Sequence, residues 1–493
     1  MTRSHPIRAV LGLAALLCTG APAAREAHAQ GAQSLTLQDA LAMAQRQGWQ
    51  SRVALGTRDA ARARDQVFFT QYLPSLSLGG ASVPSVTRSI TPVIQPDGST
   101  LYRPLQQTTA GLTATVVQRV PWTNTTLNFS SGLNQVQLNG ATGTRTWSST
   151  PFQVSLNQPL ARANTFHWDR RQQELRYSSA ERRFLEQRED VAIAVTNAFF
   201  DVHSASMALA NAVTNAATND TLYTLNKGRL EVGKIGENDL LQSELALLRS
   251  RSSLDDARVA YDKALAQLRI ALGLAPGAPL SIAVTDNVPV FEADTAVAVQ
   301  QARRNSSAMT DAEANTVQAE RAVREARWNT GAGGNLQVSY GYNATAGKAA
   351  DVYKDLRDAQ QLQVGVQIPV WQWGAHSAQV EAATSDRFAA QSSAQTLRAQ
   401  TENTAHFAAL QLGQARRSLA IAAKADTVAA KRFQVALNRY GISRITIDNL
   451  YIAQNEKDQA LSSYVQALRA YWLAYFQLRK ATLYDFEKNE VIR

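Results

Sequence analysis

The chain has 493 residues, a formal net charge of +10 and one cysteine. A single cysteine gives neither a disulfide framework nor a thiolate metal site, so the core holds without staples, which a chain this long can do. The basic residues are scattered, with no Lys/Arg block interleaved with aromatics, which argues against a nucleic-acid partner and for solvated helix surface.

The chain opens with Arg3 and Arg8, an apolar run from Ala9 to Leu17, and Ala27-His28-Ala29. That order predicts a secretory signal peptide over 1–29, cleaved after Ala29, too short to span a bilayer as a helix. Cys18 follows Leu17, where a lipidation site needs a small residue, so no lipid anchor is expected. Cleavage lowers the charge to about +8 and removes the cysteine. No apolar run of membrane-spanning length follows, so any crossing must be made by strands.

Two short stretches organise the rest. QVSLNQPL at 153–160 returns as QVGVQIPV at 363–370, so Gln153, Val154 and Pro159 match Gln363, Val364 and Pro369 at an offset of 210. Tyr261 and Gln267-Leu268-Arg269 match Tyr471 and Gln477-Leu478-Arg479 at the same spacing. Repeated matches at one offset mark an internal duplication, with a first repeat over 30–280, a linker over 281–293 and a second repeat over 294–493.

In the first repeat the segment 36–72 has helical spacing, with Thr36 placed as N-cap. Strands fall within 74–160. Residues 161–227 contain neither Gly nor Pro, and a helix of that length runs about 100 Å. The expected long helix is 161–232, turning at Gly233 and Gly236 into a return helix over 237–272 that covers only about 54 Å. The opening helix has the missing length. The second repeat has the same plan, with a helix over 294–328, strands over 335–370, a long helix over 375–440 interrupted only by Gly413, and a return helix over 442–482. Ala, Ser and Thr dominate the inward positions of these helices, which suits close coiled-coil packing. On the helices alone a soluble rod-like scaffold fits equally well.

The strands separate the two readings. Phe152, Val154 and Leu156 alternate with Gln153, Ser155 and Asn157, and Leu336, Val338, Tyr340 and Tyr342 alternate with Asn335, Gln337, Ser339 and Gly341. Leu362, Val364, Val366 and Ile368 do the same against Gln363, Gly365 and Gln367. One apolar face opposite one polar, uncharged face is the pattern of a membrane barrel with a wet lumen. Trp122, Trp147, Trp168, Trp371 and Trp373 near strand ends fit interfacial belts, and fit a core equally. Segments 74–83, 152–160, 335–342 and 362–370 give two strands per repeat, and 111–135 reads as a further hairpin turning at Pro121–Asn124. Four or six strands are too few to close a wide barrel and open edges cannot face lipid, so the chain is expected to oligomerise. Pro159 and Pro369 are expected at strand-to-helix junctions, where a missing N–H is tolerated. The stretches 84–108 and 137–150 are expected as external loops.

SLTLQDALAMA with LPSLSL, the paired QVSLNQPL and QVGVQIPV, and the turns VGKIGENDLL and YGISRITIDNL together resemble the TolC family of outer-membrane efflux proteins over the whole mature chain. The resemblance implies a mainly α fold with a membrane β-barrel, built as a homotrimer from duplicated long-helix hairpins. It implies a passive exit duct in the outer membrane of a Gram-negative bacterium, with a large periplasmic portion, docking with a periplasmic adaptor and through it an inner-membrane pump. No cofactor is implied. By the same resemblance the adaptor-docking tips are Gly233, Lys234, Ile235 and Gly236 with Gly441, Ile442, Ser443 and Arg444, and the periplasmic gate lies at Asp448 or Asn449. The family's second gate aspartate falls on Tyr451 or Ile452. Two departures stand out. The hairpin at 111–135 adds either two wall strands per protomer, eighteen in a trimer, or an extracellular extension. Gly441 lies 208 residues after Gly233 in place of 210, which reads as a longer second turn. His167, His203, His376 and His406 are isolated, and no phosphate loop or nucleophile elbow is present, so an enzyme is not expected.

Overall fold

The structure, a computed structural model, describes residues 34–80, 84–139, 143–284, 288–289, 291–442 and 444–493. The expected signal over 1–29 and the docking residue Ser443 lie outside the described residues. The first repeat runs β1 (Ser34–Leu35), α1 (Leu37–Gln47), α2 (Trp49–Thr70), β2 (Ser75–Gly79), β3 (Ser85–Ile94), β4 (Thr100–Val120), β5 (Thr125–Asn139), β6 (Thr144–Leu160), α3 (Phe166–Glu231) and α4 (Glu237–Leu272). After β7 (Ser281–Ile282), the second runs α5 (Thr295–Asn305), α6 (Ser307–Asn329), β8 (Gly333–Ala346), β9 (Arg357–Gln367), α7 (Ala375–Gly441) and α8 (Ile447–Thr482), closing with β10 (Tyr484–Asp485) and β11 (Glu490–Val491).

Thr36 caps α1 as expected. Its hydroxyl accepts from the Asp39 N–H at 3.2 Å, and Asp39 Oδ2 in turn accepts from the Thr36 N–H at 3.3 Å, a reciprocal capping box. The expected single helices at 36–72 and 294–328 are each broken in two, at Gly48 and at Ser306, because both residues take extended backbone that stops one helix and starts the next. At the first break the half-length helices meet end to end. Gln47 Nε2 donates to Leu272 O at 3.4 Å, and Gly273, at φ +71°, closes α4 with so little room that a Cβ would lie 2.6 Å from Gln47 O.

The two long helices, of 66 and 67 residues, are each about 100 Å long by the usual rise. Gly413 does not interrupt the second. The main core sits midway along the bundle, where Phe199 and Phe200 of α3, Leu268 and Leu272 of α4, Leu412 of α7 and Leu468 and Tyr471 of α8 are buried. The half-length helices contribute Ala40, Ala44, Ala298 and Ala302, all fully buried, whose small side chains let the backbones approach closely.

The strands form one antiparallel sheet in the order β2-β4-β5-β6-β8-β9, with β3 also paired to β4. β2 and β3 lie along the same edge of β4, against Thr113–Val117 and Thr100–Thr109 respectively, so the seven strands occupy six lanes. The stretches 84–108 and 137–150, expected as loops, therefore belong largely to strands. Their Pro, Ser and Thr content masked β-pairing that only long-range partners supply. Pro159 lies inside β6, opposite Asn335, and α3 starts at Phe166, not at residue 161. Pro369 lies two residues past the end of β9, and α7 starts only at Ala375. Neither proline sits in the first turn of a helix, so the helix-start argument for them fails.

Register places the apolar residues of all six lanes on one face. Leu76 lies beside Val116, Val116 beside Phe129, Phe129 beside Val154 and Val154 beside Tyr340, with the polar Gln360 completing this row on the edge strand. One step further down, Leu127, Leu156, Val338 and Leu362 line up on the same face. The opposite face carries Ser77, Thr115, Ser130, Gln153, Gly341 and Ala359 at neighbouring levels. On the apolar face Leu76 is 74% exposed and Leu362 73%, an arrangement water does not tolerate over so large a continuous area.

Candidate functional site: the helical tips and gate

Far from the sheet, α3 and α4 form one helical hairpin and α7 and α8 the other. At the first tip Lys234 N–H donates to Arg229 O at 2.8 Å and Gly233, at φ +67°, donates to Leu230 O at 2.9 Å. This is a Schellman ending, which needs a left-handed residue after the helix and explains Gly233. At the second tip Arg444 N–H donates to Arg439 O at 2.9 Å, the same bond displaced by 210 residues. The helices bounding the tips, Glu231 and Glu237 against Gly441 and Ile447, keep that displacement. The second turn is therefore no longer than the first; its glycine has moved to the last residue of α7, and the expectation of an inserted residue is withdrawn. The return helix starts at Ile447 in place of 442.

Gly236 serves as N-cap of α4 and Ile442 as C-cap of α7. Lys234, Ile442 and Arg444 are exposed and Ile235 is half-buried, so both tips present short, basic, partly apolar ends.

Asp448 lies in the first turn of α8, where a carboxylate is favoured by the helix dipole. It is exposed, and its Oδ1 accepts a hydrogen bond from Gln242 Nε2 of α4 at 2.6 Å. Asn449 turns back to its own helix start, donating to Thr446 Oγ1 at 3.0 Å. The two gate candidates thus separate: Asp448 bridges the hairpins, and Asn449 bonds within its own helix start. Three further contacts tie the hairpins near the tips. Tyr440 OH donates to Asn226 Oδ1 at 2.8 Å, the Arg229 guanidinium lies 5.1 Å above the Tyr440 ring, and Arg229 Nη2 approaches Gly441 O at 3.5 Å. Beneath them Leu222, Phe433, Ile447, Leu450 and Ala453 form a small buried cluster.

Tyr451 occupies the position at which a second gate aspartate was sought. It is half-buried, and burial first, with the nearby Tyr440 hydroxyl and Asp448 carboxylate, pushes its pKa up to about 12. Its side chain is neutral at ordinary pH. It lines a cavity of about 580 Å³ between α3, α4 and α8, together with Asn215, Asn219, Gln454 and Asp458. Asn215 Nδ2 donates to Asp458 Oδ2 there at 2.8 Å.

Gln242, Asn226 and Tyr440 were missed from sequence. The duplication carries no trace of them, because an offset of 210 maps Asn226 onto Ala436 and Gln242 onto Ile452. Contacts between unlike hairpins leave no repeated signal. Among the described residues no group of three or more His, Cys, Asp or Glu is placed to hold a metal, and no helix is long and apolar enough to cross a membrane.

Residues 104–274 match the family described as outer membrane efflux protein. That span holds most of β4, then β5, β6, α3 and α4. The fold of the whole chain is that of solved outer-membrane channels. It is similar to the Campylobacter jejuni CmeC outer membrane channel, with a TM-score of 0.66, 14% identity, and coverage of 90% of this chain and 85% of that one. It is also similar to the outer membrane protein VceC of Vibrio cholerae, with a TM-score of 0.64, 12% identity, and coverage of 90% and 95%. The open state of the Neisseria gonorrhoeae MtrE outer membrane channel gives a TM-score of 0.60 at 13% identity, with coverage of 90% and 88%. No curated protein matches the sequence. The chain thus carries, over 104–274, a segment of the outer membrane efflux protein type within a fold shared with outer membrane channels.

Proposed function

We propose that the chain is a passive homotrimeric export duct, in which three sheets close a barrel through the outer membrane and three pairs of helical hairpins form a tunnel across the periplasm. The observation that carries this is the apolar face shared in register by six lanes and joined directly to helices about 100 Å long. Such a face needs lipid, and the two outer strands, β2 and β9, need partners that a neighbouring protomer can supply.

The tips Gly233, Lys234, Ile235, Gly236, Gly441, Ile442, Ser443 and Arg444 dock with a periplasmic adaptor, through which an inner-membrane pump supplies the free energy. Asp448 from each protomer forms a ring at the tunnel entrance, where three carboxylates favour cations, and its bond to Gln242 holds the entrance narrow. The cargo is a small molecule or a secreted protein, met only in passing. A periplasmic scaffold without a pore would use the same helices, but it leaves the exposed apolar sheet face without a purpose.

Docking is tested by the paired change Lys234→Glu and Arg444→Glu. Export in cells carrying the cognate pump and adaptor is expected to fall at least tenfold, with the trimer still assembled in the outer membrane. Undiminished export from the doubly altered protein would remove the tips from the docking surface.

A further inference from the structure

The sheet of one protomer contains more lanes than two strands per repeat would give. The helix breaks at Gly48 and Ser306 are 258 residues apart, whereas the strands at Gln153 and Gln363 are 210 apart. The first repeat is therefore 48 residues longer, and the excess lies between α2 and β6. That is where β3, β4 and β5 occur.

The extra hairpin is part of the wall. β4 pairs with β2 along Thr113–Val117, and β5 pairs with β6 from Thr126 to Ser130 against Gln153 to Asn157. Its turn reaches the helical end of the sheet, since Asn164, just before α3, donates from Nδ2 to Pro121 O at 3.0 Å and to Trp122 O at 2.7 Å. An extracellular extension would place that turn at the other end. Leu112, Ala114 and Val116 with Leu127, Phe129 and Leu133 continue the apolar face, interrupted only by Ser131 opposite Ala114 and Gln118 opposite Leu127. The inserted pair also leaves its neighbours compatible: Ser77 is level with Thr115, Thr115 with Ser130, and Ser130 with Gln153. Removing two antiparallel lanes would bring β2 beside β6 with faces and direction matched.

The geometry points to an exit barrel of eighteen strands, six from each protomer, with an uncharged wet wall at membrane level. This rests on the trimeric reading above. Six alternating lanes run up in β2 and down in β9, so β9 of one copy meets β2 of the next antiparallel, and three copies close without a mismatched seam. At the usual strand spacing and a tilt near 40°, eighteen strands give a backbone ring about 36 Å across, against about 24 Å for twelve. The lumen-side residues between Ser75 and Gly79, Thr113 and Val117, Asn128 and Gly132, and Gln361 and Gly365 carry no charge. Within this band, which Arg119 and Arg357 flank on the same face, the wall therefore selects neither by charge nor by moderate size.

Two properties are measured on the detergent-purified protein. Particle mass reports the number of protomers. Exclusion of polyethylene glycols of increasing size from the barrel mouth, in planar bilayers, reports the exit diameter of the wild type and of a variant lacking residues 90–137, whose first repeat then equals the second in length. A trimer whose cut-off diameter falls by about a third or more in the variant supports the eighteen-stranded wall. A trimer with the same cut-off in both overturns it while leaving the duct intact. A mass that is not three protomers overturns the assembly reading and the strand count with it. Should the shortened chain fail to fold, disulfide trapping in full-length trimers decides. Ser77→Cys with Thr115→Cys is expected to link, and Ser77→Cys with Gln153→Cys linking instead would show β2 beside β6 and remove the hairpin from the wall.

Discussion

Arg479 of α8 shows how a single side chain can fix two long helices against each other. Its Nε and Nη2 donate to the Glu189 carboxylate of α3 at 3.1 and 3.2 Å, and its Nη1 donates to Asp485 at 2.5 Å. Burial alone would lower its pKa, but Glu189 and the other partners hold the guanidinium charged and push it up. Glu189 and Asp485 are 4% and 5% exposed, so Arg479→Met would leave two buried carboxylates without their cation. The expected loss is about 3–5 kcal/mol, read as a lower denaturant midpoint with an unchanged slope. Nearby, burial pushes the hydroxyls of Tyr471 and Tyr475 up to about 12, as it does that of Tyr451 near the tips. Their unfolded value is near 10, so stability from these groups is complete below that pH and is lost as pH rises from about 10 through 12. Alkaline titration followed by phenolate absorbance is expected to show a late fraction that ionises together with loss of helix. Ionisation of every tyrosine near pH 10 with the helices intact would contradict this.

At the scale of elements, the stacking of half-length helices depends on close backbone approach. Gly273→Val forces a β-branched residue into the left-handed region and sets its Cβ against Gln47 O. The cost is expected at about 1–3 kcal/mol, with the loss seen first as faster hydrogen exchange at the ends of α1 and α4. Replacement at Gly56, where nothing lies within 4 Å of a Cβ, serves as the control. These elements differ in how far the sequence disclosed them. The long helices were legible because Gly and Pro are absent over tens of residues, and the faces of β6, β8 and β9 because alternation is strict. β3 and the upper halves of β4 and β6 were not, since Pro92, Pro104 and Pro151 and runs of Ser and Thr resemble loop composition, and their strand state comes from partners far along the chain. The breaks at Gly48 and Ser306 were hidden because the apolar spacing continues across them. Asp448 was proposed for the gate by likeness, whereas Gln242, which the structure places against it, carries no local signature.

At the scale of the molecule, the proposed duct joins an apolar sheet face to helices about 100 Å long, and in that proposal its entrance is held by the contacts between hairpins. Opening then requires those contacts to part. Gln242→Leu removes the partner of Asp448 without touching the carboxylate, and Asp448→Ala removes both the bond and the charge. The two changes separate gating from ion preference. The most direct test is planar-bilayer conductance of the detergent-purified trimer, comparing wild type, Gln242→Leu and Asp448→Ala. Long-lived cation-selective channels are expected, with higher conductance in both variants and loss of selectivity only in Asp448→Ala. A protein that stays monomeric and soluble without detergent, or trimers electrically silent in all three forms, would contradict the duct.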